Sequence, residues 1–104
     1  MTELSTKQRL KTLRDFLVPA RGESKLVKDL DHMAETKTGR AVNFDSPRAV
    51  RFCVVGAWWH LGFKEYKFPL LPIIQLGYEP NSRLGQRTAK ETRDMLNKLI
   101  EMEK

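Results

Sequence analysis

Several features that commonly reveal a protein's chemistry are scarce in this chain of 104 residues. A single cysteine, Cys53, excludes an internal disulfide, and nothing else points to an oxidising compartment. Asp29 and His32 lie at ligand spacing, but no second pair accompanies them, which argues against zinc. The six glycines are scattered and form no phosphate-binding loop. No apolar run reaches the roughly 18 residues of a membrane span.

The composition is that of an ordinary globular domain. Hydrophobic residues make up 40% of the chain and charged residues 31%, which excludes the disordered class. The first residues, MTELSTKQRLK, lack the apolar core of a signal peptide. We therefore expect one domain over residues 1–104. We place it in the cytoplasm, with no membrane segment, no metal and no cofactor.

Positive charge is in excess and unevenly distributed. Nineteen basic residues against thirteen acidic ones leave +6. Residues 1–28 hold seven basic against three acidic residues, whereas residues 29–45 hold two against four. A basic surface raises encounter rates with polyanions and acidic proteins, without choosing between them.

Capping signals and apolar periodicity predict helices at both ends of the chain. Ser5 to Gln8 fits a capping box, and Thr88 to Glu91 fits another. The apolar stripes that follow them at helical spacing are Leu10, Leu13, Phe16 and Leu17 in the first helix, and Thr92, Met95, Leu96, Leu99 and Met102 in the last.

Further helices are predicted between these two. Leu26, Leu30, Met33 and Ala34 form another stripe, which Gly39 ends. Ser46 and Pro47 predict the start of a central apolar helix over about 47–61, with Gly62 as its stop. Residues 68–77 suit a short buried helix, although β structure is open there and around 40–44. The predicted fold is an all-α compact bundle of four to five helices around the central helix.

The central stretch Cys53–Gly62, CVVGAWWHLG, is interpreted mainly as core. Gly56 and Ala57 remove bulk where a neighbouring helix comes close. Trp58 and Trp59 point to different faces, so one of them, if exposed, would mark a homodimer interface. Cys53 and His60 share a face, but their Cα atoms lie about 10 Å apart along the axis, too far for a catalytic pair. A small enzyme using either residue is the least favoured alternative.

Three basic groups are candidate partner-binding sites, each with a solvated surface as its alternative. The first lies on one face of the first helix, the second flanks the start of the last helix, where anions are favoured, and in the third aromatics alternate with lysines and could stack bases. Their members are Lys7, Lys11 and Arg14; Arg83, Arg87, Lys90 and Arg93; and Lys64, Tyr66 and Lys67.

The chain resembles a family of small, functionally uncharacterised proteins of bacteria and their tailed phages. Those proteins carry a central Cys-x-x-Gly-Ala helix and a closing Arg-Thr-x-x-(Glu or Asp) helix. The positions that match here are Cys53, Gly56, Ala57, Arg87 and Thr88. The Trp-Asn-Asp that often precedes the last helix is replaced by residues 78–81, Tyr-Glu-Pro-Asn, so the resemblance assigns no ligand role to that loop. The resemblance implies an all-α fold and a phage or prophage origin, and it supplies no activity.

These observations favour a small basic binding protein without enzymatic activity. We expect a phage or prophage accessory protein that engages an acidic surface of a host macromolecule and modulates or inhibits it. The alternative is sequence-independent binding of nucleic acid.

Overall fold

The computed structural model describes residues 4–27, 32–68 and 89–103, which combine helices with a small sheet. The predicted all-α bundle is therefore wrong, since the described part of the chain is mixed α/β. Its elements, in chain order, are α1 (Thr6–Leu17), β1 (Ala34–Glu35), β2 (Ala41–Val42), β3 (Arg51–Phe52), α2 (Val54–Trp58), a π-helical turn (Trp59–Phe63) and α3 (Ala89–Met102).

The sheet has three antiparallel strands in the order β2-β1-β3. Ala34, in the middle strand, is paired with Val42 on one side and with Phe52 on the other. Leu26 forms a parallel bridge to Phe52, so a further segment lies beside β3. The helix predicted over the stripe from Leu26 to Ala34 is wrong at both of its described ends, because Leu26 and Ala34 pair with distant segments. Leu30 lies outside the described residues.

A tight turn joins β1 to β2, and Gly39 occupies its critical position. The amide of Thr36 donates to the carbonyl of Arg40 at 2.9 Å, and the amide of Gly39 donates to the carbonyl of Thr36 at 3.0 Å. Gly39 has φ +89°, the left-handed conformation that such a hairpin turn requires. Helix ends use the same conformation, so a glycine at this position is equally compatible with the helix stop that the sequence predicts.

The predicted central helix over 47–61 is also wrong in its first half. Residues 51 and 52 form β3, and the helix begins only after Cys53, whose Sγ accepts a hydrogen bond from the amide of Gly56 at 3.2 Å. The predicted cap, Ser46, instead organises a turn, since its carbonyl accepts the amide of Ala49 at 3.1 Å. The π-helical turn extends to Phe63, but Gly62 within it has φ +88°, so the regular helical backbone ends at the glycine that the sequence predicts as the stop.

The two terminal helices agree with the sequence predictions. Ser5 caps α1 by accepting the amide of Gln8 at 3.1 Å, while the Gln8 side chain accepts the amide of Ser5 at 2.8 Å. In α3 the predicted stripe is buried except for Met102, which is 47% exposed, and Ile100 takes its place in the core. The cap residue Thr88 lies outside the described residues.

The core is formed by buried residues of α1, α2 and α3 together with Ala34 of β1 and Phe52 of β3. Trp58 is fully buried at its centre, with its indole N–H donating to the carbonyl of Tyr66 at 2.9 Å. The rings of Phe63 and Phe68 contact it edge-on, at 5.1 and 5.2 Å between centroids. None of the helices within the described ranges has the length and apolar character needed to cross a membrane.

Candidate anion-binding site

The basic group predicted on α1 is partly committed to the fold. The Arg14 guanidinium donates to Asp15 Oδ1 at 3.0 Å and to Asn97 Oδ1 at 2.9 Å, which ties α1 to α3. Lys11 is exposed and Lys7 is half-buried. Of the three, Arg14 has few donors left for a partner, whereas Lys11 keeps its ammonium group in solvent.

The basic group predicted around the start of α3 also contains both a cation with a partner in the fold and an exposed one. Arg93 donates to the carbonyl of Val18 at 2.7 Å, just beyond the last turn of α1, where orphan helix carbonyls need partners. Together with the Arg14–Asn97 bond, this contact shows that α1 and α3 run antiparallel. Lys90 is exposed, and Arg83 and Arg87 lie outside the described residues.

The loop in which aromatics alternate with lysines offers little open aromatic surface. The guanidinium of Arg9, itself only 7% exposed, lies 3.4 Å from the centroid of the Tyr66 ring. One face of that ring is therefore unavailable for stacking on a base. Lys64 lies 5.2 Å from the Trp59 ring centroid, and Lys67 is exposed.

Only one of the two tryptophans could contribute to a homodimer interface. Trp58 is fully buried, so the hypothesis of an exposed Trp58 is wrong. Trp59 is half-buried, with its ring edge-on to Phe44 at 5.4 Å. A dimer through Trp59 stays a prediction.

Cys53 and His60 occupy different environments. Cys53 is 8% exposed, and burial raises the pKa of its thiol, so the reactive thiolate is scarce at neutral pH. His60 is exposed, donates from Nδ1 to the carbonyl of Phe44 at 2.9 Å, and has its ring 4.4 Å from that of Phe52. Within the described ranges, no group of three or more His, Cys, Asp or Glu side chains could hold a metal ion.

The structure brings together a basic group that sequence reasoning missed. A shallow depression of about 740 Å³ lies beside the β1–β2 turn. Lys37, Arg40 and Arg48 are exposed around it and make no ion pair within the described part of the chain. We call these three residues the hairpin cations. The depression is lined by Thr36, Lys37, Thr38, Arg40 and Arg48.

The carboxylate nearest to this group in the sequence does not neutralise it. Glu35 is 1% exposed, and it accepts from Arg51 Nε at 3.1 Å and from His32 Nδ1 at 2.8 Å. His32 is therefore a hydrogen-bond partner of this buried carboxylate. Because Glu35 is buried and bonded to these partners, it contributes less negative potential at the hairpin surface than an exposed carboxylate would.

The net charge of each sequence segment does not reveal the hairpin cations. Residues 29–45 hold two basic against four acidic residues, so the segment counts as acidic. Glu35 turns inward, which leaves Lys37 and Arg40 beside Arg48, a residue from the next segment along the chain. The local signal is residues 36–40, Thr-Lys-Thr-Gly-Arg, since Gly flanked by polar residues also predicts a hairpin turn with its cations exposed.

Comparisons of this chain with protein-family models, with curated proteins and with solved structures find no match. The resemblance to small proteins of bacteria and tailed phages therefore stays a prediction.

Proposed function

We propose that this chain is a non-enzymatic binding protein that engages an acidic surface of another macromolecule. Its net charge of +6 supports long-range attraction to such a surface. The proposal includes an intracellular location and, following the resemblance to phage proteins, a host macromolecule as partner. Occupying the acidic surface would block its other contacts, and this is how the protein would modulate its partner.

The observation that supports the proposal best is the set of hairpin cations. A cation that already has a partner in the fold would have to break that contact before binding another molecule. Arg14, Arg93 and Arg51 are in that position, since each donates to a carboxylate, an amide oxygen or a main-chain carbonyl. The hairpin cations have no such contact with another described residue, so their charge is available to a partner.

Binding to defined polyanions tests this function. The whole protein is titrated against poly-glutamate, heparin and nucleic acid, with uncharged dextran as the control polymer. We expect binding to at least one polyanion at about 50 mM salt and its loss at about 500 mM, where the Debye length is a few ångströms. Failure to bind any of the three polyanions at low salt would refute the proposed function.

Charge-reversal variants for such work should avoid Arg14 and Arg93. Both arginines connect α1 to α3, so their replacement would weaken the fold as well as the surface charge. The exposed hairpin cations can be changed without removing an ion pair of the described residues.

A further inference from the structure

We infer that the depression beside the β1–β2 turn is a seat for the phosphate groups of a nucleic-acid backbone, bound without regard to sequence. This inference rests on the proposed function and names the chemistry of the acidic surface that the protein engages. The depression is the one lined by Thr36, Lys37, Thr38, Arg40 and Arg48.

The donors at this depression match phosphate oxygens. Arg40 and Arg48 each present a planar guanidinium, which can bind two oxygens of one phosphate through parallel hydrogen bonds. Lys37 adds a compact charge that can approach from any direction. The set combines directional and non-directional cations around one shallow depression, and both kinds bind phosphate in proteins.

The two hydroxyls at the depression leave one further donor for a ligand. Thr36 Oγ1 and Thr38 Oγ1 lie 3.1 Å apart and share one hydrogen bond, in either direction. Thr36 Oγ1 also accepts the amide of Arg40 at 3.1 Å. Whichever hydroxyl donates to the other, the second hydroxyl keeps its own hydrogen. A phosphate oxygen can accept that hydrogen.

Negative charge that would repel a phosphate is held away from the lining. No acidic side chain lines the depression within the described residues. Glu35 is buried and shared between Arg51 and His32. Asp45 is exposed three residues before Arg48 and forms no ion pair with it. Within the described residues, the lining of the depression thus carries three cationic side chains and no anionic one.

The lining favours nucleic acid over an acidic protein as the ligand. Protein interfaces are centred on buried apolar or aromatic anchors, and no apolar side chain lines this depression within the described residues. Binding to a phosphate backbone needs only cations and hydrogen-bond donors, and it carries no sequence information. The turn that carries Lys37 and Thr38 is also held by its own backbone hydrogen bonds, so little ordering is required on binding.

Fluorescence anisotropy with labelled oligonucleotides tests the inference. The full chain is titrated into single-stranded and double-stranded DNA of about 20 nucleotides, and into poly-glutamate of similar charge, at salt concentrations from about 50 to 200 mM. The test variant is K37Q/R40Q/R48Q. The control, R21Q/K98Q, removes two charges from exposed side chains outside the candidate groups named above, and the losses are compared per charge removed. Thermal unfolding of all three proteins establishes that they are equally folded.

We expect the test variant to lose at least about tenfold in affinity for DNA at about 50 mM salt. The slope of the logarithm of the binding constant against the logarithm of the salt concentration should become shallower by roughly 2 to 3, which is the number of phosphate contacts removed. The control should lose less than about threefold, as expected from a change in long-range field alone. Wild-type protein should bind DNA more tightly than poly-glutamate.

Two outcomes would overturn the inference while leaving the proposed function intact. Equal losses per charge removed in the test and control variants would mean that the charge acts diffusely, with no seat at the turn. Tighter binding to poly-glutamate than to DNA would indicate an acidic protein as partner. Failure of the wild-type protein to bind either polymer would contradict both this inference and, once heparin also fails, the proposed function.

Discussion

Replacing Gly56 with alanine should destabilise the protein, although the same change stabilises most helices. Gly56 lies in α2, and its amide donates to the thiol that caps that helix. A Cβ at this position would lie 2.2 Å from the carbonyl oxygen of Met33 and 2.9 Å from Met33 Cγ. Ordinary contact begins at 3.4 Å, so the oxygen would have to move by more than 1 Å.

The size of the effect follows from three terms. Alanine gains about 1 kcal/mol over glycine from intrinsic helix propensity. Against this, forcing an extra carbon into a packed site costs about 1–3 kcal/mol. Moving the Met33 carbonyl also weakens its hydrogen bond from the amide of Cys53, now 3.0 Å long, at a cost of about 1 kcal/mol. The net loss is about 1–3 kcal/mol, and about 2 kcal/mol corresponds to a Tm lower by roughly 10 °C.

Thermal and urea unfolding followed by circular dichroism measure this change. Gly22→Ala is the control. The Cβ of an alanine at this position would meet no atom within 4 Å, and Gly22 has φ +99°. This variant therefore reports backbone strain without a steric clash. Adding Met33→Ala to Gly56→Ala should restore little stability, since the closest atom belongs to the main chain. A Gly56→Ala protein as stable as the wild type, or more stable, would refute this account of the packing.

Three further predictions concern buried polar groups. Cys53 should react with a thiol reagent at about pH 8 only after denaturation, because burial raises its pKa and the thiolate is the reactive form. Glu35→Ala should lower the free energy of unfolding by about 3–5 kcal/mol, since it leaves the Arg51 guanidinium without its carboxylate. Thr92→Val should raise it by about 1 kcal/mol, because the buried Thr92 hydroxyl has no partner among the described residues. Urea unfolding checks both substitutions.

Each of these predictions has a control or an outcome that would contradict it. Rapid labelling of native Cys53 would show that its thiol is open to solvent. The raised pKa also implies that the stability from the uncharged thiol is present at neutral pH and is lost as the pH rises through the alkaline range. Glu23→Ala, at an exposed carboxylate, should change stability by less than about 0.5 kcal/mol, and a similarly small loss for Glu35→Ala would remove its structural role. A less stable Thr92→Val protein would indicate a hydrogen bond made by that hydroxyl.

The site could be predicted only in part from the sequence. The excess of basic residues is evident from the sequence, and Lys11 and Lys90 are exposed as expected. Which cations are free depends on partners distant in the chain, such as Asn97 for Arg14 and Val18 for Arg93. Since free and committed arginines look alike in a sequence, the predicted clusters include both kinds.

The sequence by itself determined the two terminal helices, because their signals are local. The Ser5–Gln8 capping box and the apolar stripe of α3 act within a few residues, and both helices form where those signals place them. The sequence leaves β structure open around 40–44, where β2 forms, but the pairing of the three strands was decided by tertiary structure. Strands of two residues have no periodicity to detect, and their backbone groups find partners eight to eighteen positions away, as Ala34 does with Val42 and Phe52. That pairing also buries Glu35 and places the hairpin cations together at the surface.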